Sequence, residues 1–130
     1  MDYNFSKVKS FINDLDLMIV KENPETGLFV IDNEDEGIKN AIIAVSDPIV
    51  IIQQHIFDLK EDSAEIFKSL LQKNQDIIHG AFTLDESGEK VLFRDTLQLE
   101  NLDLNELEGS LQSLSLLMTE YTEKILEFSA

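Results

Sequence analysis

The sequence predicts an α+β fold: an antiparallel sheet of about five strands, long helices at the N- and C-terminal ends and one short helix in the middle, in the order α-β-β-β-α-β-β-α. Three observations lead there. Apolar residues recur at helical spacing near both ends of the chain. Short β-branched runs separated by turn residues fill the interior, and one capped amphipathic stretch interrupts them. With 43% hydrophobic and 28% charged residues the composition is that of a folding chain rather than a disordered one. At 130 residues the span 1–130 is read as one domain, since a chain of that size buries roughly two-thirds of its unfolded surface.

The first helix is predicted over residues 4–17, where Phe5, Val8, Ile12 and Leu15 form the stripe and Phe11 flanks it. Residues 17–21 and 28–32 are short apolar runs around Asn23-Pro24-Glu25-Thr26-Gly27, whose proline and glycine suit a hairpin turn. The acidic segment 33–37 returns the chain into a strand at 41–45. Ser46-Asp47-Pro48 then precedes residues 49–57, which read either as a further strand or as the continuation of one long strand bent at Pro48. On that stretch Ile49, Ile51, Gln53, His55 and Phe57 share one face, and Val50, Ile52, Gln54 and Ile56 the other. Both faces begin apolar, the pattern of a central strand covered on each side, so a helix or another subunit is expected against the second face.

Asp62 with Glu65 reads as a capping box for a short helix carrying Ile66, Phe67, Leu70 and Leu71 and ending near Asn74. Asp103 with Glu106 caps the last helix, where Leu104, Leu107, Leu111, Leu114, Met118, Tyr121, Ile125 and Phe128 alternate steps of three and four. That spacing would serve a coiled-coil seam. The stripe is widened by Leu116, Leu117 and Leu126, however, so one long helix lying on a sheet is the preferred reading, with its glutamates solvated.

Between these helices the segment HGAFTLDESGEKVLFRDTLQLENLD, 79–103, reads as a hairpin. A four-residue Asp85-Glu86-Ser87-Gly88 loop sets Leu84 opposite Glu89, Phe82 opposite Val91, Gly80 opposite Phe93 and His79 opposite Arg94. Phe82, Leu84, Val91, Phe93, Leu97 and Leu99 then share a core face, with Gly80 leaving room for the Phe93 ring. His79 beside Arg94 is the one grouping that resembles an anion or base site. The preferred reading is structural, with Arg94 meeting Asp95 or Glu100, and the hairpin presents a surface instead of chemistry.

A net charge of −16, from 26 acidic against 10 basic residues, repels phosphate backbones and anionic headgroups. Nucleic acid and membrane are therefore not expected as partners. Without cysteine there is no disulfide, thiolate nucleophile or zinc-thiolate site, and with neither a signal-like start nor a span-length apolar run the cytoplasm is the expected location. His55 and His79 lack metal-ligand spacing, the glycines form no phosphate cradle, and the acidic clusters do not follow a calcium loop. No catalytic residue, cofactor or metal is expected.

The stretch LLQKNQDIIHGAFTLDESGEKVLFRDTLQLENLDLNELEGSL, 70–111, resembles the YbjN-like family of bacterial sensory-transduction regulators. The resemblance is carried by N-x5-GAF-x-LD-x2-G, here Asn74, Gly80, Ala81, Phe82, Leu84, Asp85 and Gly88, followed by LFRDTLQLENLD; SDPIVIIQQ fits more loosely. The order of elements resembles the fold of type III secretion chaperones such as the Tir chaperone. The resemblance implies a non-enzymatic domain, chaperone-like or regulatory, that binds an unidentified protein partner or client and works as a homodimer through exposed apolar surface. It points to Ile66, Phe67, Leu70 and Leu71 as the dimer interface or client patch. The alternative it leaves is a regulatory domain sensing a small ligand between sheet and helices.

Overall fold

In the computed structural model, which describes residues 3–130, helix α1 (Tyr3–Asp14) buries Phe5, Val8 and Ile12 of the predicted stripe; it ends before Leu15, which packs half-buried against the core from the following turn. Phe5 stacks on Phe29 with ring centroids 4.3 Å apart. Strands β1 (Met18–Asn23) and β2 (Leu28–Asn33) form the first hairpin, and a 3-10 turn (Glu34–Glu36) leads into β3 (Ile38–Ser46) and β4 (Ile49–Asp58). Helix α2 (Ala64–Asn74) crosses to β5 (Ala81–Leu84), which turns into β6 (Lys90–Gln98), and α3 (Leu104–Glu120) and α4 (Thr122–Ser129) end the chain. The six strands lie in the order β1-β2-β3-β4-β6-β5, every neighbouring pair antiparallel.

The sheet thus has six strands, not about five, and four of them precede α2. Residues 38–58 do not form one bent strand: Ser46 pairs with Ile49 across a two-residue turn of Asp47 and Pro48. A proline has no N–H to give a ladder, so the strand breaks there and the chain doubles back.

Register assigns the faces. Phe29, Ile31, Ala41, Ile43, Val50, Ile52, Val91 and Phe93 point to one side and are buried in a single core cluster. Every helix contributes to that cluster: α1 through Val8 and Ile12, α2 through Leu70, α3 through Leu107, Leu111, Leu114 and Leu117, and α4 through Ile125. The opposite side carries Leu28, Val30, Ile42, Ala44, Ile49 and Ile51, none of which belongs to the cluster. Four of these, Val30, Ile42, Ile49 and Ile51, are half-buried among their own sheet neighbours and Leu28 is exposed.

Two local expectations change. The cap of α2 is Ser63, whose Oγ accepts the N–H of Ile66 at 3.3 Å, in place of the Asp62 and Glu65 pair. At the C-terminal end the single helix is broken at Tyr121, where φ is −110° and ψ 11°. Thr119 Oγ1 donates to the Ser115 carbonyl at 2.9 Å and Thr122 Oγ1 donates to that of Met118, and hydroxyls bonded back four residues bend a helix. The bend sends α4 across the sheet end, placing Phe128 6.1 Å from Phe57. Leu117 is buried while Leu116 and Leu126 are exposed, so the stripe rests on the sheet and makes no seam. Asp103 caps α3 as predicted, its Oδ1 accepting the Glu106 N–H at 2.8 Å.

Ser110, on the sheet side of α3, is fully buried and its hydroxyl has no partner. A buried unpaired hydroxyl costs about 1–3 kcal/mol, and alanine is the better helix former. Ser110→Ala should therefore stabilise the protein by about 1 kcal/mol, raising the calorimetric midpoint by roughly 3–6 °C.

Candidate functional site

The hairpin of β5 and β6 sets one wall of the candidate site. Ala81 faces Arg94, Phe82 faces Phe93, Thr83 faces Leu92 and Leu84 faces Val91, a register two residues from the one predicted. The cause is Asp85, which folds the connection around its own side chain. Its Oδ1 accepts from Ser87 Oγ at 2.8 Å and from the Lys90 N–H at 3.2 Å, and its N–H donates to the Lys90 carbonyl at 3.1 Å. The Ser87 hydroxyl in the first place, with nearby backbone donors, holds the carboxyl below the usual carboxylate range. Because the shift is an even number, every side chain keeps its face, and Phe82, Val91, Phe93 and Leu99 are buried as expected, whereas Leu97 is half-buried and Leu84, at the end of the edge strand, is exposed instead of core.

His79 and Arg94 are not brought together. His79 lies ahead of β5 against α3, its N–H donating to Ser113 Oγ at 3.2 Å and its carbonyl accepting from that hydroxyl at 2.7 Å. Arg94 is exposed on the side of the sheet away from the helices and, among the described residues, pairs with neither Asp95 nor Glu100. Asp95 follows it in the strand and so points to the other face. The second histidine, His55, hydrogen-bonds Asp58 Oδ1 at 2.7 Å on β4, with Lys90 Nζ 3.4 Å from the same oxygen. Among the described residues no three His, Asp or Glu side chains are grouped to hold a metal ion.

The strongest feature is an apolar groove of about 300 Å³ between α2 and β5, lined by Phe67, Leu70, Leu71, Asn74, Phe82, Thr83 and Leu84. Three of the four predicted patch residues line it. Leu70 is its floor at 5% exposure, Leu71 stands at its rim at 71%, and Phe67 is half-buried between them. Ile66 does not line it and packs against the core instead. None of the lining side chains is charged, despite the acidity of the chain.

Asn74, Phe82 and Leu84 complete the groove, although the sequence does not mark them as site residues. Asn74 Oδ1 accepts the Phe82 N–H at 2.7 Å and its Nδ2 donates to the Phe82 carbonyl at 3.3 Å. One side chain thus pairs with an edge residue as a neighbouring strand would. Strand alternation directs the backbone groups of Leu84 outward too, and Leu84 is 45% exposed. The only sequence signal for this clamp is the Asn that opens the N-x5-GAF motif.

A cleft of about 260 Å³ between the α2–β5 connection and α3 is lined by His79, Gly109, Ser113 and Leu116 among others, but the Ser113 hydroxyl is committed to the His79 backbone. No helix among the described residues is long and apolar enough to cross a membrane.

The family model CesT_Tir_1 matches residues 1–130. The chain belongs to the CesT_Tir_1 family. Solved structures show the same fold as this CesT_Tir_1 chain at low identity. YbjN from E. coli superposes with a TM-score of 0.72 at 12% identity, covering 92% of each chain. The type III secretion chaperone SycH of Yersinia pestis, solved in complex with a stable fragment of YscM2, gives 0.59 at 17%, covering 97% of this chain and 99% of that one. A chain of the HopA1–SchA chaperone–effector complex gives 0.60 at 11%, covering 99% of this chain and 98% of that one. No curated protein matches the sequence. The YbjN-like resemblance and the secretion-chaperone fold read from the sequence are both met by these findings.

Proposed function

We propose that this CesT_Tir_1 protein is a non-enzymatic, cytoplasmic protein-binding domain, chaperone-like or regulatory, that acts as a homodimer and holds a polypeptide partner in the groove between α2 and β5. The observation that carries this reading is the juxtaposition of an uncharged apolar groove with outward-facing backbone at Leu84. Exposed apolar surface beside a sheet edge is what polypeptide recognition uses: side chains fill the groove and backbone pairs with the edge. The complexes of SycH with a YscM2 fragment and of HopA1 with SchA support it, because in each a chain of this fold was solved together with another polypeptide.

Phe67→Asp tests it. Phe67 is half-buried and lies outside the core cluster, so a carboxylate there should leave the fold intact while charging the groove. Peptides selected on the wild-type protein from a random display library should bind Phe67→Asp at least roughly ten-fold more weakly, about 1.4 kcal/mol, by fluorescence anisotropy, with an unchanged far-ultraviolet dichroism spectrum. Equal affinity for both proteins would remove the groove from the proposal.

A further inference from the structure

Strands β3 and β4 part half-way along their length. Their ladder runs from the turn only as far as Ile42 opposite Gln53. Beyond that pair β3 reaches back to Ile38 joined to β2 alone, and β4 runs on to Asp58 joined to β6 alone. Each strand carries an extra residue at the parting: β3 where Ile38 and Ala41 face Asn33 and Ile31, and β4 between His55 and Phe57. Bulges of this kind end pairing and re-aim side chains, and they concentrate beside functional sites.

The gap is bridged by Gln54, which is 3% exposed. Its Oε1 accepts the Lys39 N–H at 2.9 Å and its Nε2 donates to the Gly37 carbonyl at 3.2 Å. Around this bridge lies a cavity of about 600 Å³, lined by Glu34, Lys39, Asn40 and His55, with Met118 of α3 as an apolar wall. Asn40 is held left-handed, at φ +50°, with its N–H given to Asp32 Oδ1 at 2.6 Å; backbone of that kind gathers where a ligand is held. Strand alternation, counted from the Ser46–Ile49 pair at the two-residue turn, aims the N–H and carbonyl of His55 into the gap, where β3 no longer meets them. Glu34 and Lys39 bring opposite charges to the cavity, and among the described residues neither takes part in an ion pair.

We infer that this cavity is a binding site for a free α-amino acid. The guest's carboxylate meets the Lys39 ammonium and the His55 N–H, and its ammonium meets the Glu34 carboxylate and the His55 carbonyl. In effect it is a strand one residue long, occupying the place from which β3 has withdrawn. Its nitrogen and carboxyl carbon are about 2.5 Å apart, the spacing with which any strand residue answers both backbone groups of its neighbour.

Charge selects this class among small solutes. A phosphate or a dicarboxylate would be set against Glu34 and a polyamine against Lys39, whereas a zwitterion leaves both answered. The carboxylate on β4, Asp58, is already committed to His55 and Lys90. The volume lies within the roughly 300–1,000 Å³ of small-molecule sites, and the few polar groups around an apolar wall are their usual lining. Met118 supplies that wall with a flexible thioether that adapts to the guest's side chain. The site is separate from the α2–β5 groove and does not rest on the function given to it.

Isothermal titration of the full chain with each proteinogenic L-amino acid at millimolar concentration tests the proposal. At least one should bind. Its N-acetyl derivative and its decarboxylated amine should each bind at least roughly ten-fold more weakly, because each leaves one charged side chain unanswered. Lys39→Met and Glu34→Gln replace exposed side chains, so far-ultraviolet dichroism should be unchanged while each weakens the amino acid at least roughly ten-fold. The losses should not add: Lys39→Met should bind the amine no more weakly than the wild type does, and Glu34→Gln the N-acetyl derivative likewise. Failure of every amino acid to bind, full affinity in either variant, or either derivative binding as tightly as the amino acid would overturn the inference.

Discussion

Gly27→Ala should cost the protein about 3 kcal/mol or more. Gly27 closes the first hairpin with φ at +77°, and its N–H donates to the Asn23 carbonyl at 2.9 Å. A left-handed residue that is not glycine costs about 1–2 kcal/mol on its own. The greater part of the cost is steric: a Cβ there would stand 2.3 Å from the carbonyl oxygen of Val45. That oxygen belongs to the backbone of β3, where the Val45 N–H reaches the Gly27 carbonyl at 2.8 Å. No rotamer relieves the clash, and moving β2 from β3 breaks the ladder through Phe29 and Ile43, two of the fully buried core residues. Against a typical total of about 5–15 kcal/mol, the urea midpoint should fall by roughly 1–2 M. An unchanged midpoint would mean that β2 and β3 are not held in this register.

The second large effect lies at the other end of the sheet. Gly80 has φ at +85°, and a Cβ on it would lie 2.6 Å from Cζ of Phe93 and 3.0 Å from the Arg94 carbonyl oxygen. Phe93 is fully buried opposite Phe82, whose ring centroid is 5.7 Å from that of Tyr121, so the Phe93 ring cannot withdraw without disturbing both. Gly80→Ala should cost about 2–3 kcal/mol, combining left-handed strain with overpacking. Phe93→Leu removes the two ring atoms nearest that Cβ and should alone cost about 1–2 kcal/mol as a cavity. Combined, the two should cost less than their sum by at least about 0.5 kcal/mol, since one relieves part of the strain of the other. Rescue stays partial, because the Arg94 oxygen and the positive φ remain. Strict additivity in chemical denaturation would show that the glycine does not make room for that ring.

What the sequence discloses follows from which forces leave a period. The core stripe of α1, the buried face of β6 and the sheet-side residues of α3 all repeat at 3.6 or 2, and each lies where the pattern places it. Contacts made by single polar side chains leave no period. Asp85 reorganises the hairpin connection and displaces the pairing by two, yet the burial of Phe82, Val91 and Phe93 depends only on parity and is unaffected. Thr119 and Thr122 break the last helix inside an uninterrupted apolar stripe, and Ser63 caps α2 where two neighbouring acids make the better motif. The groove is legible in the same half-measure. Phe67 and Leu71 can be read as part of an amphipathic helix, but the wall supplied by Phe82 and Leu84 requires knowing that β5 is the edge strand. That in turn requires the crossover past β6. The apolar second face of β4 is plain in the sequence, since Ile49 and Ile51 stand out on any two-period reading.

The Asn74 carboxamide has a consequence for how this molecule meets its own kind. Sheets with bare rims invite neighbours to extend them without limit, a route to fibres. Here one amide occupies the rim at Phe82, as a stop closes a rail, so an incoming segment can align only outward from Leu84. With one residue already paired, the β5 rim keeps only a short run of free backbone and is a poor template for an endless ribbon.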